Sequence, residues 1–395
     1  MQLSDEQSAA LEKILSWKSS EPFFLGGYAG TGKTTLLKSL LAELGTARLV
    51  FLAPTGKACQ VMKSKMPEAE VMTIHSALYA AREISDEELE KYRKEGEKGD
   101  EESWDLYQKY TRKNALRVEF HFCPSSKLMD RLVVVDEASM VGSREFQNLL
   151  TATKGLSKGV VFVGDPAQLP PVESASILPA KFDAFLKTVH RAALESPITR
   201  LAMAIREGRF ETWTPWGREG IHILRSFDQE IVETTDQVLS PMRATKEAVN
   251  RIVRGRNAEV LPMVGDKIIV RQNVKRYDRS YLVNGDIGYV VARDMGYITA
   301  KFAYPVQPTR RFFMNDEEIA STYKVDPEYP RSLSTVRMDY AYGITVHSSQ
   351  GSEWPSVLFC DDRMWLSRPE QRAHLLYTAV TRAKEELYIY ETKRR

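Results

Sequence analysis

A glycine-rich segment, GYAGTGKT, has the residue types and the spacing that phosphate chemistry requires. It places Gly27, Gly30 and Gly32 ahead of Lys33 and Thr34. Glycines let a loop turn tightly and direct its N–H groups toward phosphate oxygens, and a helix that starts there adds the positive end of its dipole. The lysine can reach the β- and γ-phosphates, and the threonine hydroxyl can ligate Mg²⁺. The segment therefore predicts a nucleoside triphosphate site.

Two carboxylates, Asp136 and Glu137, directly follow an apolar run at 132–135. An acid at the end of such a strand lies at the carboxyl edge of the sheet, beside the phosphate loop. Asp136 is therefore expected to hold Mg²⁺ and Glu137 to polarise the attacking water, with a pair of solvated loop acids as the alternative. Gln168, in a turn after the apolar run at 160–163, could contact the γ-phosphate or orient the water; a structural turn is its alternative.

The elements that must position these residues alternate between buried strands and helices. FFLGG at 23–27 predicts a short strand, and leucines at positions 36, 37, 40, 41 and 44 predict a helix over 33–44. Continuous apolar strands alternating with helices are typical of a parallel sheet covered on both faces. The fold class is therefore α/β.

Length and composition narrow the class of protein further. The chain has 395 residues, 43% of them hydrophobic and 27% charged, which predicts a soluble globular protein of two or three domains. Three separated cysteines exclude a disulfide framework and a zinc ribbon and fit a reducing compartment. The polar start lacks the features of a signal peptide, and no apolar run is long enough for a membrane span, so we expect a cytoplasmic protein.

Two inserts, at residues 78–128 and 256–334, interrupt the strand–helix rhythm, and the charge of the chain is unevenly spread. Residues 83–105 contain eleven acidic and four basic side chains, which is typical of a solvated surface helix or loop, whereas residues 243–311 contain fourteen basic and six acidic. The basic stretch is equally compatible with nucleic-acid contact and with a solvated face. The insert at 78–128 is expected to end in a hairpin near VEFHF (118–122). In the second insert, Asn-Gly within YLVNGDIGYVV predicts another hairpin.

The order and spacing of the short segments resemble those of superfamily 1 DNA helicases, in particular the RecD-like branch and the small phage Dda-type enzymes. The resemblance spans nearly the whole chain, although the two inserts match by position only. The segments that carry it are SDEQ (4–7), GGYAGTGKTT (26–35), LAPTGKA (52–58), TIHS (73–76), VVVDEASM (133–140), VGDPAQLPPV (163–172), VHRAALESPITRLAMAIREG (189–208), AYGITVHSSQGSEW (341–354) and YTAVTRAK (377–384).

The resemblance implies two RecA-like phosphate-loop domains with parallel sheets and with ATP in the cleft between them. It also implies a small wedge or pin insert and an SH3-like β-barrel insert. The boundaries expected from it are 1–77 with 129–186 for the first RecA-like domain, 78–128 for the wedge, 187–255 with 335–395 for the second RecA-like domain, and 256–334 for the SH3-like insert.

The resemblance also implies roles for residues around the nucleotide. Gln7 resembles the glutamine that reads adenine, with an ordinary surface polar residue as the alternative. Arg191 and Arg382 resemble two arginine fingers, and a permanently charged guanidinium suits the γ-phosphate as charge spreads in the transition state. A structural salt bridge is the alternative for either arginine. The nucleotide and Mg²⁺ would further contact the phosphate loop and its helix start, namely Gly27, Gly30, Thr31, Gly32, Lys33, Thr34 and Thr35.

A loop of the second domain is expected to sense the nucleotide. Gln350 and Gly351 resemble the sensing residues, and Glu353 is expected to contact the ribose or a neighbouring arginine. Arg191 and Arg382 would act with Lys33, Glu137 and Gln168 in hydrolysis.

The resemblance places a DNA strand across loops of both domains, where hydroxyls and imidazoles can bond phosphates without reading sequence. The residues concerned are Pro54, Thr55, His75 and Ser76 in the first domain and Thr345 and His347 in the second, the two histidines having a structural alternative. Exposed aromatics stack on bases in such proteins. Phe120, Phe122 and Trp354 are the candidates, with core packing as the alternative for each.

The function implied is an ATP-dependent, DNA-stimulated helicase that translocates along single-stranded DNA from 5′ to 3′ and splits the duplex at the pin. The expected partners are single-stranded DNA, fork junctions of single- and double-stranded DNA, and a single-strand-binding protein. The enzyme is expected to be a monomer. Three alternatives stay open: a translocase that displaces proteins without melting duplex, an RNA helicase of the same superfamily, and a phosphate-loop kinase or nucleotide-gated binding module. A kinase or binding module would have a single nucleotide domain. The segments His190–Arg191 and Thr381–Arg382, which lie far from the phosphate loop in the chain, argue against that alternative.

Overall fold

The structure is a computed structural model, and it describes most of the chain. The residues it describes are 3–18, 20–111, 118–155, 157–171, 174–189, 194–255, 262–271, 274–276, 279–294, 297–302, 310–313, 338–362 and 369–391. They divide into two compact units, one of residues 1–77, 126–258 and 341–395 and one of residues 78–125 and 259–340. No helix among these residues is both long enough and apolar enough to cross a membrane.

The first unit contains two parallel sheets, and the first sheet has six strands. Strands Leu49–Ala53 and Leu132–Val135 are buried throughout, because helices cover both faces of the sheet. In spatial order the strands are Val71–Thr73, Leu49–Ala53, Leu132–Val135, Gly159–Gly164, Phe23–Gly27 and Ala184–Leu186.

The helices of the first sheet follow the pattern predicted from the leucines. In helix Lys33–Leu44 the buried residues are Leu36, Leu37, Leu40 and Leu41, which pack into one core with the strands. Burying a leucine side chain stabilises the fold by about 1.5–3 kcal/mol, so this stripe fixes the helix against the sheet. The other helices of this part are Asp5–Ser16, Gly56–Lys65, Ile74–Leu78 and Ser143–Thr153.

The second sheet of the first unit has five strands, all parallel. In spatial order they are Gly343–Thr345, Gln237–Ser240, Trp354–Asp361, Ala383–Glu391 and Ile221–Leu224. The helices of this part are Pro197–Arg206, Gln229–Thr234, Arg243–Arg254 and Pro369–Val380. The chain therefore has the predicted α/β class with parallel sheets.

In the second unit, residues 78–125 form a two-stranded antiparallel ribbon and two helices. Strand Tyr79–Glu83 pairs with Val118–Phe122, and helices Asp86–Glu97 and Glu101–Thr111 lie between them in the chain. The hairpin expected near VEFHF is therefore an antiparallel pair whose strands lie at opposite ends of the insert, with the two helices rather than a turn between them. The acidic stretch is helical, and many of its charges pair locally, as Arg93 does with two glutamates.

Residues 259–340 of the second unit contain strands and no helix among those that the structure describes. A five-stranded antiparallel sheet has the order Arg310–Phe313, Tyr297–Phe302, Ile287–Asp294, Lys267–Val270, Met338–Tyr340. Strands Val274–Arg276 and Arg279–Leu282 form a separate pair.

The hairpin predicted at Asn284–Gly285 was wrong, although a turn exists there. The strands on its two sides, Arg279–Leu282 and Ile287–Asp294, belong to different sheets. The Gly285 N–H bonds the carbonyl oxygen of Val270 instead, at 2.8 Å. The turn is therefore bonded to a third strand, Lys267–Val270, and the chain passes there from one sheet to the next.

Candidate nucleotide-binding site

The phosphate loop connects strand Phe23–Gly27 to helix Lys33–Leu44. Gly30 and Gly32 both have a φ of +78°, a left-handed conformation that residues with a Cβ rarely adopt. The conformation turns the chain so that the helix begins at the loop. Thr31 is buried, and its hydroxyl donates to the carbonyl oxygen of Tyr28 at 2.8 Å. The sequence spacing thus produces the strand–loop–helix arrangement that binds phosphates.

Lys33 is folded back onto its own loop. Its ammonium donates to the carbonyl oxygens of Gly27 at 2.7 Å and Tyr28 at 3.0 Å. Carbonyl oxygens are neutral acceptors, and a charged phosphate oxygen accepts a stronger hydrogen bond. The two carbonyl oxygens therefore keep the lysine at the loop, and the oxygens of a triphosphate would be stronger acceptors for its ammonium group. Thr34 and Thr35, next in the helix, are both half-buried.

Gln7 is buried against the phosphate loop, with 1% of its surface exposed. Its amide nitrogen donates to the carbonyl oxygens of Thr31 at 3.2 Å and Gly32 at 3.3 Å. Its amide oxygen accepts the Ser4 N–H, which completes a capping box at the start of helix Asp5–Ser16. The surface-residue alternative is thus wrong, because both ends of the side chain fix the loop to the first helix.

Asp136 and Glu137 end the central strand Leu132–Val135, as predicted. An oxygen of the Asp136 carboxylate accepts the Glu137 N–H at 2.9 Å, and Glu137 has a left-handed φ of +53°. Such a backbone conformation costs a residue with a Cβ roughly 1 kcal/mol or more. It turns the chain sharply, so that two adjacent carboxylates remain at one sheet edge.

Burial raises the pKa of both acids. The pKa of Asp136 is raised by burial, against a backbone N–H and the positive charges of Lys33 and Lys65. The pKa of Glu137 is raised to about 7, first by burial and then by the charge of Asp136, and the charges of Arg382 and Lys33 oppose the rise. A general base works best with a pKa near the working pH, so Glu137 has the properties of one.

The donor set at this edge fits Mg²⁺. Asp136 and the Thr34 hydroxyl supply oxygen ligands, which this hard cation prefers, and phosphate oxygens and water supply the rest in phosphate-loop proteins. The raised pKa of Asp136 shows that the positive charge around it does not offset its burial, which a divalent cation would do. Among the described residues no group of three or more acids, histidines or cysteines could hold a metal.

Gln168 lies in the GDPAQL turn (residues 164–169), which follows strand Gly159–Gly164. The side chain is buried, with 7% of its surface exposed, and its amide oxygen has no hydrogen-bond partner among the residues that the structure describes. A buried polar atom without a partner is costly. A water or phosphate group in the cleft would supply the missing bond, which fits the catalytic alternative better than the structural one.

Arg382 is buried, and its charge lowers the pKa of Glu137. Its guanidinium donates to the carbonyl oxygens of Thr378 and Ser352, each at 3.0 Å, and to the Thr381 hydroxyl at 3.1 Å. No acid pairs with it in the described parts of the chain, which argues against the salt-bridge alternative. The other predicted finger, Arg191, lies outside the described residues.

The loop after strand Gly343–Thr345 of the second sheet contacts loops of the first sheet. The Gln350 amide donates to the carbonyl oxygen of Leu169, at 3.1 Å, in the GDPAQL turn. A Cβ on Gly351 would lie 3.3 Å from that of Ala58, and its φ is +75°. Both residues thus lie between the two sheets, where a nucleotide sensor is expected. The Glu353 carboxylate is exposed and pairs with Lys384 at 3.6 Å.

The DNA contacts predicted near the first sheet follow the ends of its strands Leu49–Ala53 and Val71–Thr73. His75 and Ser76 are exposed on the short helix Ile74–Leu78. Thr55 caps helix Gly56–Lys65 by accepting the Ala58 N–H at 3.1 Å. Its hydroxyl proton is not used in that bond. Pro54, just before it, is half-buried.

At the end of strand Gly343–Thr345 in the second sheet, the Thr345 hydroxyl bonds that of Ser348 at 2.9 Å. His347 is half-buried, and burial lowers its pKa, so it is neutral at pH 7 and can offer a phosphate a hydrogen bond without a charge. In the second unit, Phe120 is 56% exposed and Phe122 is 44% exposed, so neither is a core residue. Trp354 is half-buried.

Two contacts on the phosphate loop were missed from the sequence. The buried Tyr377 hydroxyl accepts the Ala29 N–H at 2.9 Å and donates to Asp165 at 2.8 Å. The Arg206 guanidinium lies 3.7 Å from the centre of the Tyr28 ring, a close cation–π contact. Tyr377 is the first residue of the YTAVTRAK segment, so membership of that segment could have indicated a role at the site. Nothing in the spacing pointed to Arg206.

Comparison with known protein families and with curated proteins shows which proteins this chain is similar to. The model of the AAA domain family matches residues 2–227, and that of the UvrD-like helicase C-terminal domain matches residues 340–390. The ATP-dependent RecD2 DNA helicase of Deinococcus radiodurans is 26% identical over 98% of this chain and 48% of its own length. The RecBCD enzyme subunit RecD of Mycolicibacterium smegmatis is 31% identical over 52% of this chain and 36% of its own length. The chain thus spans about half or less of these curated relatives.

Solved structures share the fold. A forked-DNA complex of two coordinating Pif1 helicases gives a TM-score of 0.57 at 19% identity, over 98% of this chain and 92% of that one. The Bacteroides Pif1 helicase in complex with ADP-AlF3 and single-stranded DNA gives 0.56 at 18% identity, with the same coverage. The Candida albicans Pif1 helicase gives 0.55 at 18% identity, over 100% and 95%. The chain therefore belongs to the AAA domain family, whose model matches more than half of it.

Proposed function

We propose that this protein is an ATP-dependent DNA helicase that hydrolyses ATP between its two parallel sheets and uses the cycle to move along single-stranded DNA. The observation that carries this proposal is the position of Arg382. It comes from the second sheet, yet its charge acts on Glu137 of the first. An arginine supplied across a cleft to an acid beside a phosphate loop is the arrangement that stabilises phosphoryl transfer.

Each group has a chemical task in this proposal. The loop N–H groups and Lys33 bind the β- and γ-phosphates, Glu137 accepts a proton from the attacking water, and Gln168 orients that water. Arg382 and Arg191 stabilise the charge that develops on the γ-phosphate. Thr34 and Asp136 would hold Mg²⁺, which would supply positive charge to neutralise the phosphates. Gln7 contacts adenine, and Gln350, Gly351 and Glu353 respond to the nucleotide.

The DNA strand is proposed to cross both domains at their hydroxyl- and imidazole-bearing loops. Thr55, His75 and Ser76 would bond its phosphates in the first domain, and Thr345 and His347 in the second. Such contacts hold a strand without selecting sequence. ATP binding would draw the two sheets together and hydrolysis would release them, so that alternating grips give directional movement.

The second unit is proposed to separate the duplex. Its two-stranded ribbon carries Phe120 and Phe122 exposed on one face of strand Val118–Phe122, two residues apart. Residues that alternate along a strand lie about 6.6 Å apart, and exposed aromatic rings offer stacking surfaces to bases. The ribbon would act as the pin and the β-rich segment as an SH3-like cover over the strand. Movement from 5′ to 3′ is part of this proposal.

The central experiment is hydrolysis by the Lys33→Ala variant. Single-stranded DNA should stimulate ATP turnover in the natural protein, and the variant should lose that turnover at least 100-fold while it still binds an oligonucleotide. Lys38→Ala, on the same helix, is the matched control and should hydrolyse normally. If Lys33→Ala retains turnover, the phosphate loop does not bind the reacting nucleotide and the proposal is wrong.

Substrate and direction need separate assays. Comparing stimulation by single-stranded DNA and RNA separates a DNA motor from an RNA helicase. Partial duplexes with one blocked end report direction, and unwinding only of those with a 3′ tail would contradict movement from 5′ to 3′. Translocation without unwinding on either substrate would indicate a strand-clearing translocase.

A further inference from the structure

Helix Pro369–Val380 carries a buried tyrosine whose hydroxyl bonds two loops of the first sheet. Tyr377 is 2% exposed. Its oxygen accepts the Ala29 N–H of the phosphate loop at 2.9 Å, and its proton goes to the Asp165 carboxylate, 2.8 Å away in the GDPAQL turn. A phenylalanine would fill nearly the same volume. Since burying a hydroxyl is costly unless it is bonded, its role must lie in these two bonds.

The same helix holds the GDPAQL turn at two further points. The Thr378 hydroxyl, which is fully buried, accepts the Leu169 N–H at 2.9 Å. The Nδ1 atom of His374 bonds the carbonyl oxygen of Ala167 at 3.0 Å. The turn is therefore bonded on both sides of Gln168, whose own amide oxygen has no hydrogen-bond partner among the described residues. The backbone is fixed, and the side chain remains available to the cleft.

The donor and acceptor roles of the Tyr377 hydroxyl are also fixed. The other oxygen of the Asp165 carboxylate accepts the Ala167 N–H at 2.9 Å, so both oxygens of the carboxylate accept hydrogen bonds. Burial, with the charge of Asp165, raises the pKa of Tyr377 well above its usual value. The phenol therefore keeps its proton and always donates toward the acid. Hydrogen bonds in such a chain polarise and strengthen one another.

We propose that Tyr377 is a positioning residue for ATP hydrolysis: its hydroxyl holds the phosphate loop and the Gln168 turn at a fixed separation and links both to the helix that leads into Arg382. This inference rests on the proposed ATPase function. Ala29 belongs to the loop that binds the phosphates and Asp165 to the turn that presents Gln168. Since Arg382 follows the same helix, any displacement of that helix on DNA binding reaches both loops through one side chain.

The test is a Tyr377→Phe variant of the full chain, assayed for ATP hydrolysis with and without a single-stranded oligonucleotide. We expect DNA-stimulated kcat to fall about tenfold or more, because small misplacements of catalytic groups cost rate steeply. KM for ATP and the affinity for ADP should change less than about threefold, because the loop N–H groups and Lys33 still bind the phosphates. Tyr390→Phe is the matched control: this tyrosine is half-buried against Phe227 in the same domain, and its variant should keep full kcat.

Thr378 provides the second arm, which decides the question if Tyr377→Phe does not fold. Thr378→Val removes the acceptor of the Leu169 N–H in nearly the same volume and should also lower kcat with little change in KM. Thr378→Ser keeps the hydroxyl and should restore most of the rate. A kcat within twofold of the natural protein in the folded hydroxyl-deletion variants overturns the inference, as does an equal loss in Tyr390→Phe.

The inference and the proposed function fail in different ways. If the natural protein hydrolyses no ATP in the presence of DNA, the proposed function is wrong and Tyr377 has no hydrolysis to support. If the natural protein hydrolyses ATP and Tyr377→Phe and Thr378→Val match it, only the positioning role is rejected. A fall in ATP affinity as large as the fall in kcat would also reject it, because it would indicate general damage to the site.

Discussion

The amide group of Gln7 donates to the carbonyl oxygen of Thr31 across 3.2 Å, so a side chain in the first helix supports the back of the phosphate loop. The same amide reaches Gly32 at 3.3 Å, and its oxygen is engaged by Ser4. Sequence resemblance assigned Gln7 to adenine recognition. The geometry adds a second task, which is to hold the loop in shape, and the two tasks have different consequences.

Gln7→Glu separates them. The substitution keeps the size of the side chain and the oxygen that caps the helix but replaces two donated bonds with repulsion from carbonyl oxygens. Each lost hydrogen bond of this kind costs about 1 kcal/mol, so the melting temperature should fall and KM for nucleotide should rise several-fold. If the residue only supports the loop, ATP and GTP should be affected equally. If it also reads adenine, the preference for ATP over GTP should shrink, which hydrolysis of both nucleotides measures.

Glu137 should make the stability of the nucleotide-free protein depend on pH. Its pKa is about 7 in the folded state, mainly because of burial, against the usual value of 4.5. The folded state therefore binds the proton more tightly than the unfolded state. Below pH 4.5 Glu137 is protonated in both states and does not lower the free energy of unfolding. Between pH 4.5 and 7 this free energy falls as the pH rises, and above pH 7 the loss is complete.

Glu137→Gln removes that cost. In EDTA at pH 8 the variant should be more stable than the natural protein, by up to about 3 kcal/mol, and the difference should shrink toward zero as the pH falls toward 4.5. Denaturant unfolding at several pH values measures it. A stability difference that is the same at pH 5 and pH 8 would contradict a raised pKa. The same variant should lose ATP hydrolysis, since an amide cannot accept the proton from water.

The local sequence predicted the strand–loop–helix segment at residues 23–44 well, because the determinants of this segment are local. Strand Phe23–Gly27, the glycine-rich loop and helix Lys33–Leu44 are consecutive, and the apolar periodicity and the glycines specify them together. The acids at 136 and 137 were located by the strand before them. Each of these predictions needed only the rule that polar residues follow buried strands at one sheet edge.

The errors came from long-range pairing. Strand Val118–Phe122 pairs with a strand at the opposite end of the insert, and the Asn284–Gly285 turn separates two sheets rather than joining two paired strands. Period-two alternation identifies a strand but not its partner. Tyr377 was missed for a related reason: its partners lie 212 and 348 residues away in the chain, and buried tyrosines are usually core residues.

The exposed phenylalanine of the ribbon should matter for unwinding and not for hydrolysis. Phe120→Ala removes a ring that is 56% exposed, so it should leave the fold intact. We expect unwinding of a forked duplex to fall about tenfold, because a lost base stack costs about 1–3 kcal/mol, with DNA-stimulated ATP turnover within twofold. Met129→Ala, a change of another exposed apolar side chain, is the control and should affect neither. Normal unwinding by Phe120→Ala would remove the ribbon from the mechanism.

Trp213 should be a structural anchor of the second sheet rather than part of the motor. Its ring is fully buried, and its indole N–H donates to the Asp361 carboxylate at 2.8 Å, an acid that also bonds Arg372 at 3.2 Å. Trp213→Phe leaves a cavity and a buried carboxylate short of one donor, so unfolding free energy should fall by about 2–4 kcal/mol. Asp361→Asn keeps an acceptor for the indole but loses the charge that pairs with Arg372, so a smaller loss is expected. Denaturant unfolding compares the two variants, and hydrolysis per folded molecule should stay near that of the natural protein in both. A tryptophan variant that unfolds normally but hydrolyses slowly would show that this anchor acts on the site after all.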